Sequence, residues 1–238
     1  MSYNSGDRWT ARATSTQVDI DVGLRQYMLR VYNYMAGGLA LIGIIAYLSQ
    51  GVYQQYILGS PLYWVVLLAP LALVMMLSFG IQRMSLAATQ LIFWTYAALM
   101  GLWFAGIFLL FTTESIARVF FITAGTFAAM SLYGYTTRSD LSRFGSFLFM
   151  GLIGIILAGL VNLFIHSSAL QFAISVIGVV VFVGLTAYDT QRIKEMYFEG
   201  DGAVIAGKKA IMGALQLYLD FINLFILLLQ FMGVQRRD

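Results

Sequence analysis

The sequence has no cysteine among its 238 residues, which excludes disulfides, thiol catalysis and cysteine-ligated metal. It has a single histidine, His166, in the polar string "FIHSSA", where a solvent-facing role is the expectation. Only two prolines occur, Pro61 and Pro70, and both fall in one apolar segment. Pro61 suits a first helical turn, and Pro70, inside the helix, predicts a kink. Charge is also scarce, at 11% of residues. Soluble domains carry roughly twice that share, so a single water-soluble core is excluded. The first residues, through Arg25, are polar and of mixed charge, and no amino-terminal signal peptide is expected.

What the chain has instead is apolar length. Hydrophobic residues make up 60% of the sequence, and the mean hydropathy is +0.81. A spanning helix needs about 20 apolar residues, and seven segments qualify: 28–49, 61–82, 86–111, 116–135, 144–165, 170–190 and 207–231. The fold class expected is therefore an all-α polytopic membrane protein, seven transmembrane helices with the last helix central in the bundle. It divides into a polar cytoplasmic tail (1–27), a seven-helix domain (28–231) and a short carboxyl tail (232–238). Gly151, Gly154 and Gly159 are candidates for close helix approach, or ordinary packing glycines. No internal repeat suggests an inverted-repeat transporter.

The net charge of +3 does not point to nucleic acid, because the basic residues sit in the connectors. With the amino terminus inside, all but three of the 14 lysines and arginines fall on the inner face; the exceptions are Arg118, Arg236 and Arg237. That bias predicts a cytoplasmic amino terminus. A last segment that stops short of crossing would bring Arg236 and Arg237 back to the inner side.

Of 11 acidic residues, only Asp189 and Asp220 lie within or against apolar segments. An aspartate at mid-helix costs about 2.5–3.5 kcal/mol on insertion scales, so a partner or a role is expected. At about 100° per residue, Gln216, Asp220, Asn223 and Gln230 fall within about 40° of one line on the last segment. Such a stripe must face protein or water, since lipid cannot hydrogen-bond it. Ser175, Thr186 and Asp189 share a face of segment six, with Gly178 beside them. The two segments run antiparallel. Helix arithmetic leaves the acids about 6 Å out of level, within reach of tilt and loop shape. Two readings follow: a carboxyl pair that shares protons and titrates as a unit, or one acid hydrogen-bonded to a neighbouring helix as glue. Arg83, in the link after segment two, is either a latch that holds Asp189 charged or a topogenic arginine.

The strings "YDTQRIK" (188–194) and "LYLDFINLF" (217–225) resemble the Bax inhibitor-1 family, bacterial branch, and the likeness in length and span number covers nearly the whole chain. The resemblance implies a pH-sensitive calcium leak in the bacterial inner membrane, controlled by an aspartate pair that maps to Asp189 and Asp220. It places the family's arginine on Arg83, although "GIQRMS" has one arginine where the family has a basic cluster. No cofactor is expected, and calcium is cargo. Calcium prefers six to eight oxygen ligands, so Asp189 and Asp220 with Gln216 and Asn223 offer a weak site, not a tight one, as a leak requires.

An enzyme is not expected. "YD" matches half of the intramembrane aspartyl protease signature, but Gly-x-Gly-Asp is absent around Asp220. A retinal protein would need a lysine between Ile211 and Val234, and there is none. The rival reading is a non-conducting regulator that binds a membrane AAA protease or other membrane proteins through connector 191–209. Partners expected besides lipid and calcium are thus membrane proteins and not nucleic acid.

Overall fold

The computed structural model describes residues 5–236, with side chains from Val22 onward. Arg237 and the side chains of Arg8 and Arg12, which enter the charge count, lie outside the described residues, as do the extremes of the two tails. Seven helices are long and apolar enough to cross a membrane. They are α1 (Ser5–Leu48), α2 (Leu62–Gly80), α3 (Leu86–Ala105), α4 (Thr113–Thr136), α5 (Ser142–Ile165), α6 (Ser168–Glu195) and α7 (Ala203–Met232). No strand forms among the described residues.

The connectors stop and start helices by capping. Ser85, Thr112 and Ser167 each accept a hydrogen bond from a backbone N–H three residues on, at the starts of α3, α4 and α6. These are the hydroxyls of "QRMS", "TTES" and "HSSA", and each satisfies an amide that the helix leaves unpaired. His166 ends α5 in the left-handed conformation, φ 54°. It is exposed, and its role is to turn the chain. Helix α2 runs unbroken through Pro70. Helix α1 begins at Ser5, so much of the expected tail is helical, and its apolar span starts at Val22.

Packing is uneven. Helix α7 rests against α1, α3, α4 and α6, whereas α5 packs mainly on α6, and α2 on α3. In α7, 72% of the most apolar window is buried, against 6% in α5. The apolar face of α7 interlocks through aromatic rings: Phe221 meets Phe127 edge-on at 5.6 Å, and Phe225 stacks on Phe104 at 6.0 Å. Such pairs add to area burial by about 0.5–1.5 kcal/mol each.

Both ends of α7 are fixed, at opposite ends of the bundle. At the start, Lys209 donates to the Met196 carbonyl and pairs with Asp201. At the finish, Thr112 N donates to the Val234 carbonyl and Arg236 N to the Leu110 carbonyl, both at 3.0 Å. The last segment therefore traverses the bundle, and Arg236 lies on the same face as Arg118. The reading in which this segment stops short is overturned.

Candidate functional site

The site is built on the last turns of α6, where nearly every side chain is fastened to a neighbour. A Cβ at Gly134 would overlap the Ala187 carbonyl, so α4 and α6 touch backbone to backbone there. The Tyr188 ring packs over Gly145 of α5. The Thr190 hydroxyl bonds Ser131 at 3.0 Å, and Ser131 bonds Tyr32 of α1 at 2.7 Å. Gln191 accepts from Leu141 N at 2.8 Å and donates to the Ser139 carbonyl at 2.9 Å. Lys194 donates to the Tyr135 carbonyl at 2.8 Å. With its flanks held by α4 and α5, Asp189 presents its carboxyl to α7.

The α6–α7 register decides what it meets there. Ile193 lies on Gly213, Leu227 on Gly178, and Gln171 bonds Gln230. This antiparallel ladder sets Asp189 opposite Gln216 and Asp220, and its carboxyl neighbours both side chains directly. Asp189 is 6% exposed and Asp220 5%, the only buried carboxylates among the described residues. Asp220 Oδ2 is buried and receives no hydrogen bond from the protein. Two full charges in such a place would repel strongly, and a proton between them removes the repulsion.

The pair lines a cavity of about 820 Å³ that lies between α5 and α7 on a floor of α6. Gln216, Asp220, Asn223 and Gln230 all border it, so the polar stripe of α7 faces this space. The opposite wall is apolar, with Phe149, Leu152 and Ile155 of α5. Ser175 and Thr186 do not reach the cavity; their hydroxyls donate to the Gln171 and Phe182 carbonyls of their own helix. Arg192, one turn beyond Asp189, borders the cavity and acts electrostatically on that acid. Arg83 does not: it is exposed in the α2/α3 turn. Among the described residues the one ion pair is Lys209–Asp201. The latch arginine of the sequence reading is thus not brought to Asp189, and Arg192 is the basic neighbour instead. No group of three or more metal-ligating side chains occurs among the described residues.

Outside the spans, Asp140 in the α4/α5 turn accepts from Ser142 N at 2.9 Å. That bond holds its carboxyl below its ordinary value, so it stays charged to lower pH than a free aspartate.

Sequence reasoning missed the fastening of α6 by Ser131, Gly134 and Gln191. The signal available was "TQ" directly after "YD", two polar residues on an apolar helix.

A bundle of seven spanning helices, with its two buried acids facing each other across the last two, defines an integral membrane protein of the polytopic helical class. The chain belongs to the Bax inhibitor-1 family: the family model described as "Inhibitor of apoptosis-promoting Bax1" matches residues 24–237. It is 48% identical over 231 residues to "Uncharacterized protein RP147" of Rickettsia prowazekii, covering 96% of this chain and 98% of that protein. It is also 48% identical over 219 residues to "Inner membrane protein YbhL" of Escherichia coli (strain K12), covering 90% and 94%. A Caulobacter vibrioides relative is 42% identical over 247 residues, covering 98% of each.

Proposed function

We propose that this protein is a pH-sensitive cation leak of the bacterial inner membrane, calcium being the chief ion, with Asp189 and Asp220 as the proton-reading pair. The observation that carries the reading is the meeting of two buried carboxyls in a roomy cavity bordered by the polar stripe of α7. Ionised, the pair attracts a divalent cation, and Gln216 and Asn223 add oxygen ligands without completing a cage, so the ion is held weakly and released. Sharing a proton, the pair has less charge and less hold on the ion. Arg192 competes with the cation for Asp189. The inner-membrane location follows the name of the Escherichia coli relative.

The test is calcium flux into proteoliposomes across a pH series. The parent should show pH-dependent flux, and Asp189→Asn, Asp220→Asn or both should abolish the pH dependence. Asp140→Asn should leave the profile in place, because that carboxyl is already charged throughout the neutral range. A parent that passes no cation at any pH would favour the non-conducting regulator of a membrane AAA protease or other membrane protein.

A further inference from the structure

At the end of the cavity remote from Asp189, side-chain amides join the three helices that enclose it. Gln171, in the first turn of α6, donates through Nε2 to Gln230 Oε1 of α7 at 2.8 Å. Its own Oε1 accepts from Asn162 Nδ2 of α5 at 3.1 Å. Asn162 Oδ1 in turn accepts from Ser167 N at 2.9 Å. The backbone N–H fixes which way Asn162 points, Asn162 then fixes Gln171, and Gln171 fixes Gln230. The relay is therefore directional, from the α5/α6 turn to the cavity lip.

Its place in the packing gives it a further meaning. Helices α5 and α7 both rest on α6, with the cavity between them. Among the described residues, the side-chain hydrogen bonds that tie α5 to α7 pass through Gln171. Gln230 itself borders the cavity. At the Asp189 end, α5 is tied instead to α6, through Leu141 N and Gln191. One end of α5 is thus anchored on the floor, and the other is strapped across the opening by neutral amides. Such bonds between membrane helices are individually weak enough to break and re-form.

We propose that Asn162, Gln171 and Gln230 are the gating residues of the cavity on the face that carries the carboxyl terminus. With the relay intact, α5 and α7 are held at a fixed spacing, Ile226 is half-buried and the acids beyond it are buried, so aqueous access from that end is restricted. With the relay broken, that end opens. None of the three side chains titrates, so the strap sets the opening and the aspartates set the pH response. The claim deepens the leak reading and rests on it for its physiological meaning, but its primary readout does not require conduction.

The native sequence has no cysteine, so Ile226→Cys gives a single thiol in the cavity wall one turn below Gln230. The full chain is reconstituted with its carboxyl-terminal face outward and treated with a membrane-impermeant thiosulfonate. Gln171→Leu should speed labelling of Ile226→Cys by about three- to eighteenfold, the factor for one lost interhelical polar contact. Gln230→Leu should do the same. Ala214→Cys, buried on α7 away from the cavity, should stay unlabelled in both backgrounds. In the flux assay the same substitutions should raise calcium entry without moving the midpoint of its pH dependence. Equal labelling with and without Gln171→Leu overturns the strap whatever the flux shows, and so does a parallel rise at Ala214→Cys, which would mean general loosening. Faster labelling with no cation flux at any pH keeps the strap and removes the leak reading.

Discussion

Single polar atoms in this bundle fall into two kinds, those with partners and those without, and the difference gives opposite expectations. The Tyr218 hydroxyl is buried beside Tyr96, whose ring lies 5.3 Å from its own, and makes no hydrogen bond of good geometry, as is also true of Asp220 Oδ2. An unpaired buried hydroxyl is a desolvation cost without compensation. Tyr218→Phe should therefore leave thermal stability unchanged or raise it by up to about 1 kcal/mol, measured by unfolding in detergent. A fall of more than about 1 kcal/mol would mean that the hydroxyl is paired after all. Thr190→Val should act in the other direction, because the Thr190 hydroxyl bonds Ser131 at 3.0 Å and the Thr186 carbonyl at 2.7 Å. Its loss should cost about 0.6–1.7 kcal/mol, the range for polar contacts between membrane helices. The unpaired Asp220 oxygen is the one that the proposed function would account for, since in that reading a proton or a cation occupies the space beside it.

Helices in this protein meet at a few glycines, and the sequence shows which residues are glycine but not which ones are touched. Of Gly151, Gly154 and Gly159, read either as points of close approach or as ordinary packing glycines, only the first makes a close contact. A Cβ at Gly151 would come within 2.9 Å of Val181, whereas Gly154 and Gly159 face open space. Gly134, which the sequence reading passed over, lies against the Ala187 backbone. Gly134→Ala should accordingly push α4 off α6, destabilise by about 1–3 kcal/mol and loosen the turn that aims Asp189. Gly154→Ala has nothing to strike. It should stabilise by about 0.5–1 kcal/mol through helix propensity alone. Paired melting curves of the two variants check this, and equal effects would refute the contact. The limits of legibility lie at the same scale. Span positions and the α7 stripe were readable, because hydropathy and the 3.6-residue period are properties of one helix at a time. The nearness of Arg192 instead of Arg83 to Asp189, and the relay through Gln171, depend on rotation and register between helices. One chain read alone has no signal for those, except where two halves of a contact are both unusual. Asp189 and Asp220 were such a case: each was an acid within or against an apolar run, and a carboxyl pair was one of the two readings that followed.

At the scale of the whole molecule, the ends of α7 settle which connectors share a face. The Val234–Arg236 segment bonds the Leu110–Thr112 turn, so the carboxyl-terminal residues lie with the α3/α4 connector. The α6/α7 connector with Glu199 lies at the other end, beside Lys209. Sidedness then reduces to one choice. Among the described residues the carboxyl-terminal face has Arg118 and Arg236, whereas the opposite connectors contain Arg83, Arg138, Arg143, Arg192, Lys194, Lys208 and Lys209. Lys and Arg near span ends are retained on the cytoplasmic side, so the face with Glu199 should be cytoplasmic and the face with Gln235 external. In the cysteine-free parent, single variants Gln235→Cys and Glu199→Cys give this a direct measurement. An impermeant maleimide added to spheroplasts should label Gln235→Cys and leave Glu199→Cys unreacted until the membrane is broken. The opposite pattern would invert the protein, turning the amide strap toward the cytoplasm and Arg192 toward the outside. The acid pair would then be approached by calcium from the Arg192 end. The same two labels therefore fix the direction in which the proposed path is gated.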